Sequence, residues 1–201
     1  MTAHLAVGAW LALWALACAQ LARRPLAPHS GLRFAELLLP ALAVAIFAAA
    51  IREPRIAFAE GSAAIMLAAA GSVDARTGYL FDSVTLPCAA ICSAAAIAGE
   101  SVPEALLAVI AVSAPLAGLA LFSRGAWIGW GDVKASFSLA VAFGPLESAV
   151  ALFLASLSGL ISSHFAGGCV RRIPFGPHLA IGAAITLAFA PLCHLPEIFV
   201  R

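Results

Sequence analysis

The sequence predicts an all-α fold, a polytopic bundle of transmembrane helices that occupies residues 1–201 as a single domain. Hydrophobic residues make up 63% of the chain and charged residues only 10%, whereas an ordinary soluble domain has roughly 25% charged residues. So few polar residues cannot cover a soluble core. Apolar runs recur along the whole length, which indicates that the protein is solvated by a bilayer. The net charge of +1 gives no indication of nucleic acid binding.

About eight transmembrane crossings, within a range of six to eight, are predicted from the apolar runs. Backbone in hydrocarbon must satisfy its own hydrogen bonds, so each run is predicted to be a helix. The first run is interpreted as a mature helix rather than a signal peptide, because its basic residues follow it. The sixth run is short for a crossing of about 20 residues, and Gly144-Pro145 at its end requires a turn. The runs are 4–22, 35–51, 57–73, 83–99, 104–122, 133–143, 147–166 and 178–196.

The distribution of basic residues predicts which loops face the cytoplasm. With eight crossings, one set of loops holds most of the lysines and arginines, and cytoplasmic loops carry such an excess. The loops 23–34, 74–82, 123–132 and 167–177 are therefore expected to face the cytoplasm, with both termini outside. All three aspartates, Asp74, Asp82 and Asp132, fall on this side.

Asp74 and Asp132 are the candidate catalytic residues. Asp74 ends the third run and Asp132 starts the sixth, and ionisable groups at the membrane boundary are functional candidates because they are costly there. Two carboxylates brought together share one proton. One then activates a water as general base while the other protonates or polarises a scissile carbonyl. Gly129 and Gly131 lack a Cβ, so they let backbone or a bound peptide approach closely.

Structural roles for the same acids stay open at this point. An aspartate at a helix start is a common cap, worth around 1 kcal/mol, and this explanation covers Asp132. Asp74 lies at a helix C-terminal end, where the macrodipole disfavours an anion, although pairing with Arg76 would make it structural. Asp82 is interpreted mainly as a cap of the fourth helix.

Three segments resemble motifs of the type IV prepilin peptidases. The segment from Val73 to Pro87 contains an aspartate, a short polar loop and a Leu-Pro, as that family does around its first catalytic acid. The segment Ile128 to Lys134 is similar to the family's Gly-x-Gly-Asp-x-Lys motif. Ile173-Pro174-Phe175-Gly176-Pro177 is similar to the stretch before the last family helix, and Arg33 to Leu37 is a weaker fourth match. The resemblance covers roughly residues 33–195.

The resemblance implies an aspartic endopeptidase in the bacterial inner (plasma) membrane that acts at its cytoplasmic face. Its substrates would be type IV prepilins, pseudopilins or Flp-like proteins with a basic leader, which links the enzyme to pilus assembly and protein secretion. Asp74 and Asp132 would be the water-activating pair, with no metal or organic cofactor. Lys134 is expected to balance local charge or to meet substrate. Glu36 is expected to be a buried polar partner near the site.

Two departures from the family pattern narrow these expectations. Phe81 stands where the family usually has proline. The loop after Arg24 has no cysteine and is short, whereas longer family members carry a cysteine-rich insert there that accompanies N-methylation. The chain is therefore similar to the short, peptidase-only type, and methyltransferase activity is not expected.

Two other classes of membrane protein share some features of this sequence. A non-enzymatic multi-pass scaffold or transporter component would make the paired aspartates structural, and it leaves the segment Ile173 to Pro177 unexplained. Presenilin-like intramembrane proteases also carry Gly-x-Gly-Asp. They have a late Pro-Ala-Leu motif, however, whereas this chain has Pro-Phe-Gly-Pro at 174–177.

Overall fold

The computed structural model describes residues 2–23, 33–99, 101–165 and 173–193, with side chains described as far as residue 189. All regular structure within these ranges is helical. Helices α5 and α6 are joined by a π-helical turn, Val109–Ser113, and together form one rod. The helices are α1 (Thr2–Arg23), α2 (Phe34–Ile51), α3 (Pro54–Thr77), α4 (Asp82–Ala98), α5 (Val102–Ala108), α6 (Ala114–Phe122), α7 (Trp130–Phe165) and α8 (Gly176–Cys193).

The helices confirm the predicted all-α, multi-pass membrane bundle. In the described ranges, five helical stretches are long and apolar enough to cross a membrane: Thr2–Arg23, Phe34–Ile51, Pro54–Thr77, Val102–Phe122 and Trp130–Phe165. Two shorter helices, Asp82–Ala98 and Gly176–Phe189, are also apolar. The predicted number of six to eight crossings stays a prediction.

Helix α3 lies at the centre of the bundle. In its most apolar stretch of 18 residues, 72% of the residues are buried. Five helices pack against it: α1, α2, α4, α7 and α8. Alanine, glycine and serine dominate its sequence. Small side chains let neighbouring helices approach closely, which is how helices associate when lipid supplies no hydrophobic drive. Both α3 ends therefore meet several other helices, and the candidate site lies at one of them.

Helix α7 is broken at Gly144, as the sequence predicted. Its 36 residues are interrupted there by a backbone with φ 75° and ψ −179°, a conformation that favours glycine, and Pro145 cannot donate a helical hydrogen bond. The chain turns back at this point. Glu147 reaches Arg52 after the break, whereas Ser158 lies beside His178 near the start of α8.

A buried ion cluster holds α2, α3 and α7 together at the break. Nη2 of Arg52 lies 2.7 Å from Oε2 of Glu60 and 3.2 Å from Oε2 of Glu147. The contact with Glu60 is an ion pair without hydrogen-bond alignment. Glu60 and Asp74 belong to the same helix and lie ~21 Å apart along it at 1.5 Å per residue. We call these opposite ends of the bundle the Arg52 end and the Asp74 end.

Part of the topology prediction depends on residues outside the described ranges. Arg24, Arg171 and Arg172 lie there, as does Cys169. The orientation of the bundle in the membrane therefore stays a prediction.

Candidate active site

Asp74 lies in the last turn of α3, which continues to Thr77. Gly78 ends the helix in the left-handed conformation, with φ 70°, and its N–H donates to the carbonyl oxygen of Asp74 at 2.8 Å. The Asp74 side chain is buried, and the residue is only 5% exposed. A buried carboxylate at the C-terminal end of a helix is unfavourable unless another group compensates it.

The compensating group is the N–H of Gly176, which donates to Oδ2 of Asp74 at 2.7 Å. Gly176 is the first residue of α8. The first N–H groups of a helix have no partner within it, and they form the positive end of its dipole. The start of α8 therefore supplies a donor to the carboxylate at the end of α3. This contact ties the side chain of Asp74, a residue of α3, to the start of α8.

The approach of the two helices depends on glycine at both contact points. A Cβ added at Gly176 would lie 2.8 Å from Oδ2 of Asp74, and one added at Gly71 would lie 2.9 Å from the carbonyl oxygen of Gly176. Both distances are shorter than real Cβ atoms show. A larger residue at either position would therefore move Asp74 or the start of α8.

Asp132 is the third residue of α7, and it interacts electrostatically with Asp74. Its Oδ2 accepts the N–H of Gly129 at 3.2 Å, and its own N–H donates to the carbonyl oxygen of Gly129 at 3.1 Å. This reciprocal pattern is one half of a capping box, in which the third helical residue reaches back to the cap. Asp132 thus makes a capping contact from the third helical position, at the same end of the bundle as Asp74. The structure brings the two predicted acids together.

Gly131 fits the start of α7 against the loop that follows Asp74. A Cβ at this position would lie 2.7 Å from Cβ of Leu80 and 3.1 Å from its carbonyl oxygen. The missing Cβ was expected to admit either the protein's own backbone or a bound peptide. In the structure, the backbone of Leu80 lies there. The loop and the start of α7 are therefore held in register, which also fixes the two acids relative to each other.

Lys134 connects α7 to α4. Its Nζ lies 2.6 Å from Oδ1 of Asp82, and both side chains are partly exposed. Asp82 does not cap α4, contrary to the prediction, because Phe81 holds the cap position and no side chain caps this helix. The carboxylate of Asp82 extends toward Lys134 instead. Phe81, which departs from the motif that this segment resembles, packs against the main core.

Glu36 is not buried, so the prediction that it is a buried polar partner near the site is wrong on this point. Its side chain is 39% exposed, because it lies in the first turn of α2 at the end of the bundle. Its Oε2 lies 2.7 Å from Nη2 of Arg76. Arg76 therefore pairs with Glu36, and the alternative in which it pairs with Asp74 is not what the structure shows.

His178 is a site residue that the sequence did not indicate. It is 8% exposed, its Nδ1 lies 2.9 Å from Oγ of Ser158, and it interacts electrostatically with Asp74. The segment around Gly176 stood out only through its resemblance to the family, and a contact made by a backbone N–H leaves no mark in the side-chain pattern. Neither role could be read from residue types.

The arrangement offers carboxylate chemistry rather than an evident metal site. Across the described ranges, no group of three or more His, Cys, Asp or Glu side chains is arranged to hold a metal ion. Two neighbouring carboxylates can share one proton and act as an acid and a base together. These acids lie at the same end of a membrane bundle, close to its loops.

Comparison with known families agrees with this arrangement. Residues 61–163 match the type IV leader peptidase family, and this segment is about half of the 201-residue chain. The chain belongs to the type IV leader peptidase family. It is accordingly a leader-peptidase-like protease, and the family implies a prepilin-like substrate and a membrane environment. The matched segment contains Asp74 and Asp132 and ends before α8. Neither the curated proteins nor the solved structures compared with this peptidase gave a significant match.

Proposed function

We propose that this peptidase is an aspartic endopeptidase that removes the basic leader of type IV prepilin-like or Flp-like substrates. It acts at the cytoplasmic face of the bacterial inner membrane, and Asp74 and Asp132 are its catalytic pair. The activity serves type IV pilus assembly and protein secretion. One observation carries the proposal: the two aspartates belong to different helices but lie at one end of the bundle, where Gly131, next to Asp132, packs against Leu80 in the loop that follows Asp74.

The geometry supports a reaction in which each acid has one oxygen held and one oxygen available. Oδ2 of Asp74 accepts the N–H of Gly176, and Oδ2 of Asp132 accepts the N–H of Gly129. The remaining oxygens are assigned to substrate and water. Preorganised donors of this kind keep catalytic groups in place without reorganisation during the reaction.

The proposed reaction consumes one water and needs no cofactor. The unprotonated carboxylate takes a proton from water as the water oxygen bonds to the scissile carbonyl carbon, and the protonated acid donates its proton to the carbonyl oxygen. The tetrahedral intermediate then collapses: one of its hydroxyl groups returns a proton to the pair as the carboxyl group forms, the C–N bond breaks, and the leaving nitrogen takes up a proton from the pair. Because the pair starts and ends with one shared proton, it is ready for the next substrate.

The site's place in the bundle supports cleavage at a membrane face. Asp74 and Asp132 lie in the terminal turns of apolar helices, next to the loop 78–81. A bond at the boundary between a polar leader and an apolar helix would be presented at this depth. Lys134 and Arg76 are already paired with acids, which lowers the positive charge that a basic leader would meet.

The test is co-expression with a candidate prepilin, with leader removal followed by gel shift. We expect wild type to cleave, and Asp74→Asn and Asp132→Asn each to reduce cleavage to background, because an amide cannot exchange the proton. Asp82→Asn is the matched control at the same end of the bundle and should retain most activity. Cleavage that persists in either single mutant would refute the catalytic pair. An inserted wild type that cuts no prepilin encoded near it would favour the non-enzymatic scaffold.

A further inference from the structure

His178 is a buried ionisable residue that the proposed reaction does not yet use. It is the third residue of α8 and follows Gly176, the residue that holds Asp74, by two positions. Helix α8 packs mainly against α3 and the second half of α7. The crossing with α7 is close, because a Cβ at Gly182 would overlap the carbonyl oxygen of Ala151. The position of the imidazole is therefore fixed by three helices.

The hydrogen bonds of Ser158 determine which nitrogen of His178 carries a proton. The Ser158 hydroxyl donates to the carbonyl oxygen of Ala155 at 2.9 Å, and it lies 2.9 Å from Nδ1 of His178. A hydroxyl has one proton, and a carbonyl only accepts. The Ser158 oxygen must therefore accept from Nδ1–H. In the neutral imidazole this leaves Nε2 as an acceptor, and the ring becomes a cation when Nε2 takes up a proton.

The imidazole lies beside a glycine of α7. A Cβ added at Gly159 would lie 3.6 Å from Cδ2 of His178, an ordinary contact distance. The hydrogen bond to Ser158 is therefore the contact that orients the ring from α7. Second groups that orient and polarise a reacting group in this way are commonly as important as the group itself.

Asp74 is the charged neighbour of this imidazole. From α3, the acid near His178 is Asp74, because Gly176, which donates to the Asp74 carboxylate, precedes His178 by two positions in the first turn of α8. From α7 the facing polar group is the Ser158 hydroxyl. A charge on the imidazole would therefore act on Asp74.

We propose that His178, oriented by Ser158, is a positioning residue that sets the electrostatic environment in which Asp74 exchanges its proton. It acts through Asp74 and does not touch substrate. The proposal rests on the proposed function, because it assigns His178 to the same catalytic pair. It adds a third ionisable group to a reaction that the family resemblance describes with two.

The decisive variant is His178→Asn. An asparagine amide can place an N–H donor about where Nδ1 lies, so it keeps the bond to Ser158 and removes only the ionisable ring. We expect the variant to insert and unfold like wild type, with KM unchanged. The kcat should fall about tenfold, less than the hundredfold that a misplacement of about 1 Å can cost. The pH profile of kcat should change as well, which a purely structural role would not produce.

His164→Asn is the matched control, because His164 lies at the exposed end of α7. It should leave kcat and the pH profile unchanged. Ser158→Ala should alter kcat in the same direction as His178→Asn, and the double variant should be no worse than the stronger single one, since the two residues act as a unit. A wild-type kcat and pH profile in His178→Asn would overturn the proposal.

A readout without cleavage separates this proposal from the proposed function. Carbodiimide reacts with protonated carboxyl groups, so the labelling of Asp74 can be followed against pH by mass spectrometry in the inserted protein. The pH midpoint should move in His178→Asn and stay in His164→Asn. An unmoved midpoint would refute the role of His178 whether or not the peptidase cuts a prepilin. A failed cleavage assay with a moved midpoint would count against the proposed function alone.

Discussion

Gly176→Ala is the substitution that tests most directly how the site is held. The added Cβ would lie 2.8 Å from Oδ2 of Asp74, 3.0 Å from its Cβ and 3.2 Å from its Cγ. Ordinary contacts begin at 3.4 Å, so the carboxylate or the start of α8 must move by about 0.6 Å. The movement cannot be absorbed by a flexible side-chain end, because the neighbouring atoms include Cβ of a short, buried residue.

The magnitude follows from the displacement and from the hydrogen bond that it disturbs. A bond from a backbone N–H to a charged group contributes about 1.5–3 kcal/mol, and a displacement of about 1 Å at a catalytic group can cost a hundredfold in rate. A shift of this size should therefore lower kcat/KM by about 10- to 100-fold. The loss should appear mainly in kcat, since in the proposed reaction the Asp74 carboxylate acts on the scissile bond rather than on the leader.

The assay is initial-rate cleavage of a purified prepilin in detergent, with thermal unfolding measured on the same samples. Gly118→Ala is the matched control, because a Cβ at Gly118 meets nothing within 4 Å, and it should cleave like wild type. A Gly176→Ala variant that is stable and cleaves at the wild-type rate would refute the positioning of Asp74 by α8.

Three further outcomes are expected. Gly131→Ala should lower kcat about tenfold in the same cleavage assay, because its Cβ would lie 2.7 Å from Cβ of Leu80 and would shift Asp132; wild-type kcat would contradict this. Lys134→Ala should change the cleavage rate by less than about fivefold, since a partly exposed ion pair contributes about 0–1 kcal/mol. Exchanging the two charges (Lys134→Asp with Asp82→Lys) should restore the wild-type rate. A large loss that the exchange does not repair would indicate that Lys134 contacts substrate. Arg52→Met should lower the free energy of unfolding by about 3–5 kcal/mol, because it removes the cation that lies 2.7 Å from the buried Glu60 carboxylate, as measured by thermal unfolding against the exposed Arg55→Met; equal stability of the two variants would show that the cluster is dispensable.

The helices could be predicted from the sequence because a bilayer requires each crossing segment to be a long, apolar helix. Within the described residues, each predicted apolar run coincides with a helix, with the rod formed by α5 and α6 for 104–122, or with one half of α7 for 133–143 and 147–166. The turn at Gly144 was predictable for the same reason, since Gly-Pro removes both the left-handed penalty and a helical donor. Boundaries differ by a few residues, because helices continue into the polar flanks that the hydropathy pattern excludes.

The site was predictable only as far as side-chain identity carries the information. Asp74 and Asp132 were recognisable as acids at the ends of apolar runs, but their partners were not. The donor to Asp74 is the backbone N–H of Gly176, and any residue has that group except proline. Glu36 and Asp82 were misassigned because burial and pairing depend on which helix ends meet, and Arg76 and Lys134 reach them from distant segments.

The bond between Asp74 and Gly176 also sets the order in which the enzyme matures during its own synthesis. The two residues are 102 positions apart, and the whole matched family segment, residues 61–163, is made before Gly176. At about 5–20 residues per second, roughly 5–20 s pass between the synthesis of the acid and that of its donor. By the end of this interval both aspartates are in the nascent chain, but the carboxylate of Asp74 has no helix start to hold it. In the proposed mechanism, full activity therefore awaits the docking of α8, and we expect a chain that is stalled before residue 176 to contain both acids and to cleave much more slowly.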